Sequence, residues 1–329
     1  MRRFPDFLGF LLLLPLLLGP GPGDVRALLE RVHGNGPPLT DAELRELLEA
    51  VPPEEVRVAL VQVGVVVLDR KGRPVSGLRR EDFHLEVDGR ERSLAWFSED
   101  RAHPFRLVWL VDASGSMAGR ARREQLRRAL LPLARTVRLE DRIRLVSFGG
   151  GRVTVHGDWR RRPLTAVAEA VALPRGGTTA VADALVEAAH LLPPPVDERQ
   201  AIVLASDGID NASRRTAREV IDAARRVRAP VYVLAVGGEG ERIRERTRRR
   251  RERSPLALLR RVASETGGRF FLVTSAEEAR EAALRIRDDL RHQYWLGFHP
   301  ESPPDGEFHR VRVRVDRPGV TVLARSGYR

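Results

Sequence analysis

The stretch Leu107-Val108-Trp109-Leu110-Val111-Asp112-Ala113-Ser114-Gly115-Ser116 decides the reading of this chain. Its first five residues are an unbroken apolar run with two β-branched members. A strand that is apolar at every position belongs in a parallel sheet covered on both faces. The run stops at an aspartate, followed by two serines around a glycine. Such a turn lies at the carboxyl end of a parallel strand, where open α/β sheets bind their ligands.

Outward from this strand, helical and strand patterns alternate. Helix is expected over about Arg120–Arg138, strand over Ile143–Phe148, and a short strand over Val153–His156. Helices are expected near Leu164–Ala172 and Ala180–Leu192, and a buried strand over Ala201–Ala205. Helix Arg214–Arg228, strand Val231–Val236, helix Leu256–Thr266, strand Arg269–Val273 and helix Ala276–His292 complete the series. The alternation predicts a doubly wound, mostly parallel α/β sheet.

The flanks read differently. Val58–Leu68 is long and β-branched, Lys71-Gly72-Arg73-Pro74 is a turn, and Glu81–Arg90 reads as strands joined by a hairpin. After the last helix, Tyr294–Phe298 and Arg310–Val315 are again strand-like, with a turn at Pro318-Gly319. The expected organisation is a small β unit over 54–100, an α/β domain over 101–290, and a C-terminal β segment over 291–329 that packs with the first. Ahead of them, 24–53 reads as a short helical segment. It has a capping box at Thr40-Asp41-Ala42-Glu43 and reads as a spacer.

Residues 1–23 carry Arg2 and Arg3, then an apolar run from Phe7 to Leu18, then Gly19-Pro20-Gly21-Pro22-Gly23. This is the layout of a signal peptide. The run is shorter than the ~20 residues that span a bilayer. No A-x-A cleavage site follows, so an uncleaved anchor is the alternative, and the only expected membrane link. The expected location is secreted or cell envelope/periplasm.

Composition narrows the chemistry. The 329 residues contain no Cys, which excludes disulfides, thiolate metal sites and cysteine nucleophiles. The net charge is +12, and of the 57 Lys and Arg residues only Lys71 is lysine. Such one-sided usage reads first as compositional bias. Arg242–Arg253 includes Arg248-Arg249-Arg250-Arg251 but no aromatic residue that would stack on a base. It reads as a solvated insertion, and no nucleic-acid partner is expected. No H-E-x-x-H is present, and Ser114 does not sit in G-x-S-x-G. Binding without turnover is the expected activity, with no catalytic residues.

Two further pieces join the Asp112 turn. Gly176-Gly177-Thr178-Thr179 leads into a helix, and Ser206-Asp207-Gly208 ends the Ala201–Ala205 strand. In a doubly wound sheet the strands ending in Asp112 and Asp207 are neighbours, so both carboxylates face one crevice. Two carboxylates ~5 Å apart repel by ~3 kcal/mol at an effective dielectric of ~20. A divalent cation reverses that sign, and hard cations take oxygen ligands. Without a cation, the same turn would serve only as an Asx-turn and helix cap.

At these residues the chain resembles the von Willebrand factor type A (VWA) domain. D-x-S-x-S, then G-G-T-T-A-V-A-D-A-L, then S-D-G match that family's metal-ion-dependent adhesion site (MIDAS) in order and placement. The resemblance implies direct metal ligation by Ser114 and Ser116. It implies ligation by Asp112 and Asp207 directly or through water, and a switchable ligand at Thr179, with Thr178 as the alternative. The implied ion is Mg²⁺, with Ca²⁺ or Mn²⁺ as alternatives. The implied partner is a protein presenting a Glu or Asp carboxylate. The flanks, from Val65 to Phe83 and from Gln293 to Tyr328, resemble a bacterial family of secreted VWA-related proteins. Some VWA domains are instead intracellular adaptors for ATPase or chelatase-type machines. That is the second reading, and a metal-dependent hydrolase the third.

Overall fold

The structure is a computed structural model that describes residues 60–100, 104–178, 181–192, 199–207, 216–237, 255–301 and 306–329. The expected signal peptide, the helical segment over 24–53 and the arginine run Arg242–Arg253 lie outside the described residues.

In chain order the elements are β1 (Val61–Leu68), β2 (Phe83–Val87), β3 (Arg90–Arg92), β4 (Trp96–Asp100), β5 (Phe105–Asp112), α1 (Arg120–Ala134), β6 (Arg142–Gly149) and β7 (Arg152–Arg160). There follow α2 (Pro163–Ala172), α3 (Val181–His190), β8 (Arg199–Ser206), α4 (Ala217–Arg226), β9 (Val231–Val236), α5 (Pro255–Glu265), β10 (Phe270–Val273) and α6 (Ala276–Arg291). The last strands are β11 (Gln293–Phe298), β12 (His309–Val315), β13 (Thr321–Ala324) and β14 (Gly327–Tyr328).

The central sheet has six strands in the order β10-β9-β8-β5-β6-β7, all parallel except the edge strand β7. β5 is apolar at successive positions because both its faces are covered. Leu107, Trp109 and Val111 pack with α1, α2 and α6. Val108 and Leu110 pack with α3, α4 and α5. This is the expected doubly wound α/β fold. The chain leaves β5 toward β6 on one side and later returns to β8 on the other. The topological switch point therefore falls between β5 and β8.

The flanking strands form two four-stranded sheets, in the orders β13-β1-β11-β4 and β14-β12-β2-β3. Each sheet takes strands from both sides of the α/β segment: β1 pairs with β11 and β13, and β12 pairs with β2. Their inner faces share one core, including Val63, Val65, Phe83, Leu85, Tyr294, Leu296 and Phe298.

Three local expectations are corrected. Glu81 and Asp82 lie in a 3₁₀ turn rather than a strand, because Asp82 caps the Arg79 amide at 2.6 Å. The hairpin instead turns at Asp88-Gly89, between β2 and β3. α1 ends at Ala134, not Arg138: Thr136 Oγ1 turns back onto the Leu133 carbonyl and Asp141 takes the Arg138 amide. β7 is nine residues long rather than four.

Candidate metal site at the switch point

Asp112 is the last residue of β5 and is fully buried. Its Oδ1 accepts the Ser114 amide at 2.9 Å, which folds the chain back as an Asx-turn. A 3₁₀ turn over Gly115–Met117 follows, and Met117 plugs it into the core. This turn brings Ser114 Oγ and Ser116 Oγ to 3.0 Å of each other. Asp207 directly follows β8 and is 6% exposed. The structure therefore brings Asp112, Ser114, Ser116 and Asp207 to the carboxyl ends of two neighbouring strands. Thr179 lies outside the described residues. The adjacent Thr178 is exposed.

Backbone contacts between loops hold the turn. Ala113 donates to Phe148 O at 2.8 Å and accepts from the Gly176 amide at 3.0 Å. The Gly115 amide donates to Gly177 O at 3.2 Å, and the Gly151 amide to Thr178 O at 3.4 Å. These approaches need missing side chains. A Cβ on Gly149 would lie 2.8 Å from the Ala113 carbonyl carbon. A Cβ on Gly177, whose φ is +67°, would lie 2.4 Å from Gly150 Cα.

The electrostatics favour a cation. Burial pushes the Asp112 carboxyl above its ordinary range, and the nearby Asp207 charge adds to that rise. Hydrogen bonds from Ser114 and Ser206 oppose it. Among the described residues no three His, Asp or Glu side chains group to hold a metal by themselves. Here two carboxylates are joined by two hydroxyls, an all-oxygen donor set of the kind that suits Mg²⁺, Ca²⁺ or Mn²⁺. Both Asp112 oxygens already accept a hydrogen bond, so they fit ligation through water. The hydroxyls of Ser114 and Ser116 fit direct ligation. The residues present fit a hard divalent cation.

Two supporting residues have no assigned role in the sequence reading. Ser206 Oγ donates to Asp112 Oδ2 at 2.6 Å and fixes the carboxylate across the strand boundary. Its only sequence signal is its place in S-D-G. Arg175 wraps the end of α2, donating to Ala170 O at 2.8 Å, Leu173 O at 2.9 Å and Val171 O at 3.0 Å. It anchors the loop that carries Gly176 and Gly177. A basic residue just past a helix end was the available signal.

A second polar constellation lies on the same sheet. Ser147 Oγ and His156 Nε2 share a hydrogen bond of 2.7 Å, and His156 Nδ1 lies 3.5 Å from Glu169 Oε1. Ser147 is only 7% exposed, and Arg160 holds the other oxygen of Glu169. The group ties β6, β7 and α2 together.

Residues 107–209 match the model of the von Willebrand factor type A domain. The chain contains a VWA domain. Among solved structures it is similar to an aerotolerance-related membrane protein of Bacteroides fragilis NCTC 9343, studied with multiple mutations to serines. The two are 22% identical over 56% of this chain and 98% of that one, with a TM-score of 0.44. It is also similar to a von Willebrand factor type A protein of Catenulispora acidiphila, 14% identical over 83% of this chain and 75% of that one, with a TM-score of 0.44. A third is the manganese-loaded TRAP protein of Plasmodium vivax, 17% identical over 70% of this chain and 96% of that one, with a TM-score of 0.41. No curated protein sequence matches the chain. Among the described residues no helix is long and apolar enough to cross a membrane. The VWA assignment therefore rests on the family match together with the strand order and its switch point.

Proposed function

We propose that this protein is a non-catalytic binding module, secreted or held in the cell envelope, that captures an acidic side chain of a protein partner through a divalent cation. Asp112, Ser114, Ser116, Asp207 and Thr179 would hold the ion, with Mg²⁺ first and Ca²⁺ or Mn²⁺ as alternatives. The observation that carries this reading is the pair of buried carboxylates, Asp112 and Asp207, beside a serine pair at the switch point. When bound, the ion supplies positive charge and a coordination position for a partner's carboxylate oxygen. Hydroxyl donors leave that charge largely uncancelled, which favours an anionic sixth ligand.

The chain's own residues do the rest. Ser206 orients Asp112, and the glycine-lined loops hold the turn that carries Ser114 and Ser116. We further propose that residues 101–290 are the binding domain and that 54–100 and 291–329 together form its β support, behind a signal peptide or anchor over 1–23.

The test is a pull-down from envelope extract in Mg²⁺ with elution by chelator, using wild type and Asp112→Ala. The proposal expects chelator-eluted protein from wild type alone, with both chains folded by circular dichroism. Equal binding by the variant in the presence of chelator would refute it.

A further inference from the structure

A cavity of about 490 Å³ lies at the end of the central sheet away from Asp112 and Asp207, against the β strands that flank it. It adjoins the start of β8 at Gln200 and the Ala229-Pro230 lead into β9. Trp295 and Tyr328 supply an aromatic side, with the buried Phe298 packed edge-on beneath Tyr328. Arg228 and Arg325 supply a basic one.

The charges in this cavity do not balance. The two acidic side chains in its wall are already engaged. Asp88 is held by His309 at 2.8 Å and by the Arg310 amide at 2.8 Å. Glu301 is held by Arg92 and Arg90. Arg228 and Arg325 have no ion-pair partner among the described residues. Arg325 is half-buried, and its Nε donates to the Gly327 carbonyl, leaving the rest of the fork for another acceptor. Burial pushes Arg325 down to about 10, and the charge acting on it is that of Arg228, of the same sign. A half-buried guanidinium and an exposed one of like charge at the same cavity form a seat for an anion. A planar guanidinium fork matches a carboxylate. The volume is that of a small-molecule site, and the aromatic side suits a flat apolar body.

We propose that this cavity binds a small organic carboxylate with an aromatic body, its carboxylate between Arg228 and Arg325 and its ring against Trp295 and Tyr328. The site is separate from the switch-point crevice and needs no metal.

Isothermal titration of the full chain, in chelator, tests it with indole-3-acetate, its neutral amide and inorganic phosphate. The acid is expected to bind, and the amide at least about tenfold more weakly, the scale of a lost charge-assisted hydrogen bond. Arg325→Gln and Arg228→Gln are each expected to weaken the acid by a similar factor. Arg228 is exposed, so its variant keeps the test valid should Arg325→Gln misfold. Arg218→Gln, on an exposed side chain of α4 outside the cavity, is expected to change nothing. Absence of binding at millimolar acid, equal binding of acid and amide, or an unaltered Arg228→Gln would overturn the proposal. Phosphate binding as tightly as the aryl acid would overturn the aromatic part.

Discussion

Ser206 Oγ donates a 2.6 Å hydrogen bond to Asp112 Oδ2, joining the last residues of two parallel strands at the point where the sheet reverses its winding. The register explains the pairing. Val111 lies opposite Ala205, and the next residues along each strand are Asp112 and Ser206. Ser206→Ala leaves a buried carboxylate oxygen short of a donor, at a cost of about 1–3 kcal/mol. Urea unfolding is expected to show that loss. Titration with Mg²⁺ is expected to show weaker binding, because Asp112 loses its fixed orientation. Unchanged stability and affinity would mean that Ser206 is a bystander.

Gly177→Ala tests the loop clamp. The new methyl group meets Gly150 Cα in a backbone conformation that L residues rarely adopt. The expected loss of stability is about 1 kcal/mol or more. Mg²⁺ affinity is expected to fall too, since Gly177 O receives the Gly115 amide between the two serines. Gly119→Ala, where a Cβ meets open space, is the control.

The doubly wound class and the adjacency of the strands ending in Asp112 and Asp207 were legible because 107–111, 201–205 and 231–236 are unbroken apolar or aromatic runs and helical patterns separate them. The metal-site candidates were legible as three short motifs, yet their support was not. Ser206 acts through a register between strands 94 residues apart, which no local pattern reports. Arg175 acts through carbonyls at a helix end. The Ser147–His156–Glu169 group depends on an antiparallel pairing whose length the sequence understated. Helix ends were misplaced where a side chain competes with the backbone, as Thr136 and Asp141 do after α1.

Tyr294→Phe tests the flanking β structure. Its hydroxyl accepts the Leu78 amide at 3.1 Å and donates to Val75 O at 2.9 Å, pinning the segment after β1 over the aromatic group of Phe83 and Phe97. Removing the hydroxyl orphans both backbone groups and is expected to cost about 1–2 kcal/mol by urea unfolding. No loss would show that water replaces it there.

The buried Asp289 on α6 sets a pH dependence of stability. Burial raises its carboxyl to about 7, and the Arg269 guanidinium, at 3.2 Å, only partly offsets that rise. A carboxyl raised in the fold binds more protons folded than unfolded between pH ~4 and ~7. Its contribution to stability therefore falls as pH rises through that window and levels off above it. Asp289→Asn removes this slope. The variant's urea midpoint, relative to wild type, is expected to climb from pH 5 to pH 8. A pH-independent difference would contradict the assignment.

The most direct measurement is Mg²⁺ and Mn²⁺ titration calorimetry on wild type, Ser114→Ala and Asp207→Asn, each checked for native circular dichroism. The account predicts one saturable ion per wild-type chain and at least about tenfold weaker binding in both folded variants, as expected for loss of a ligating or orienting oxygen. Wild type that takes up no ion, or variants that bind it as tightly as wild type, would contradict the account.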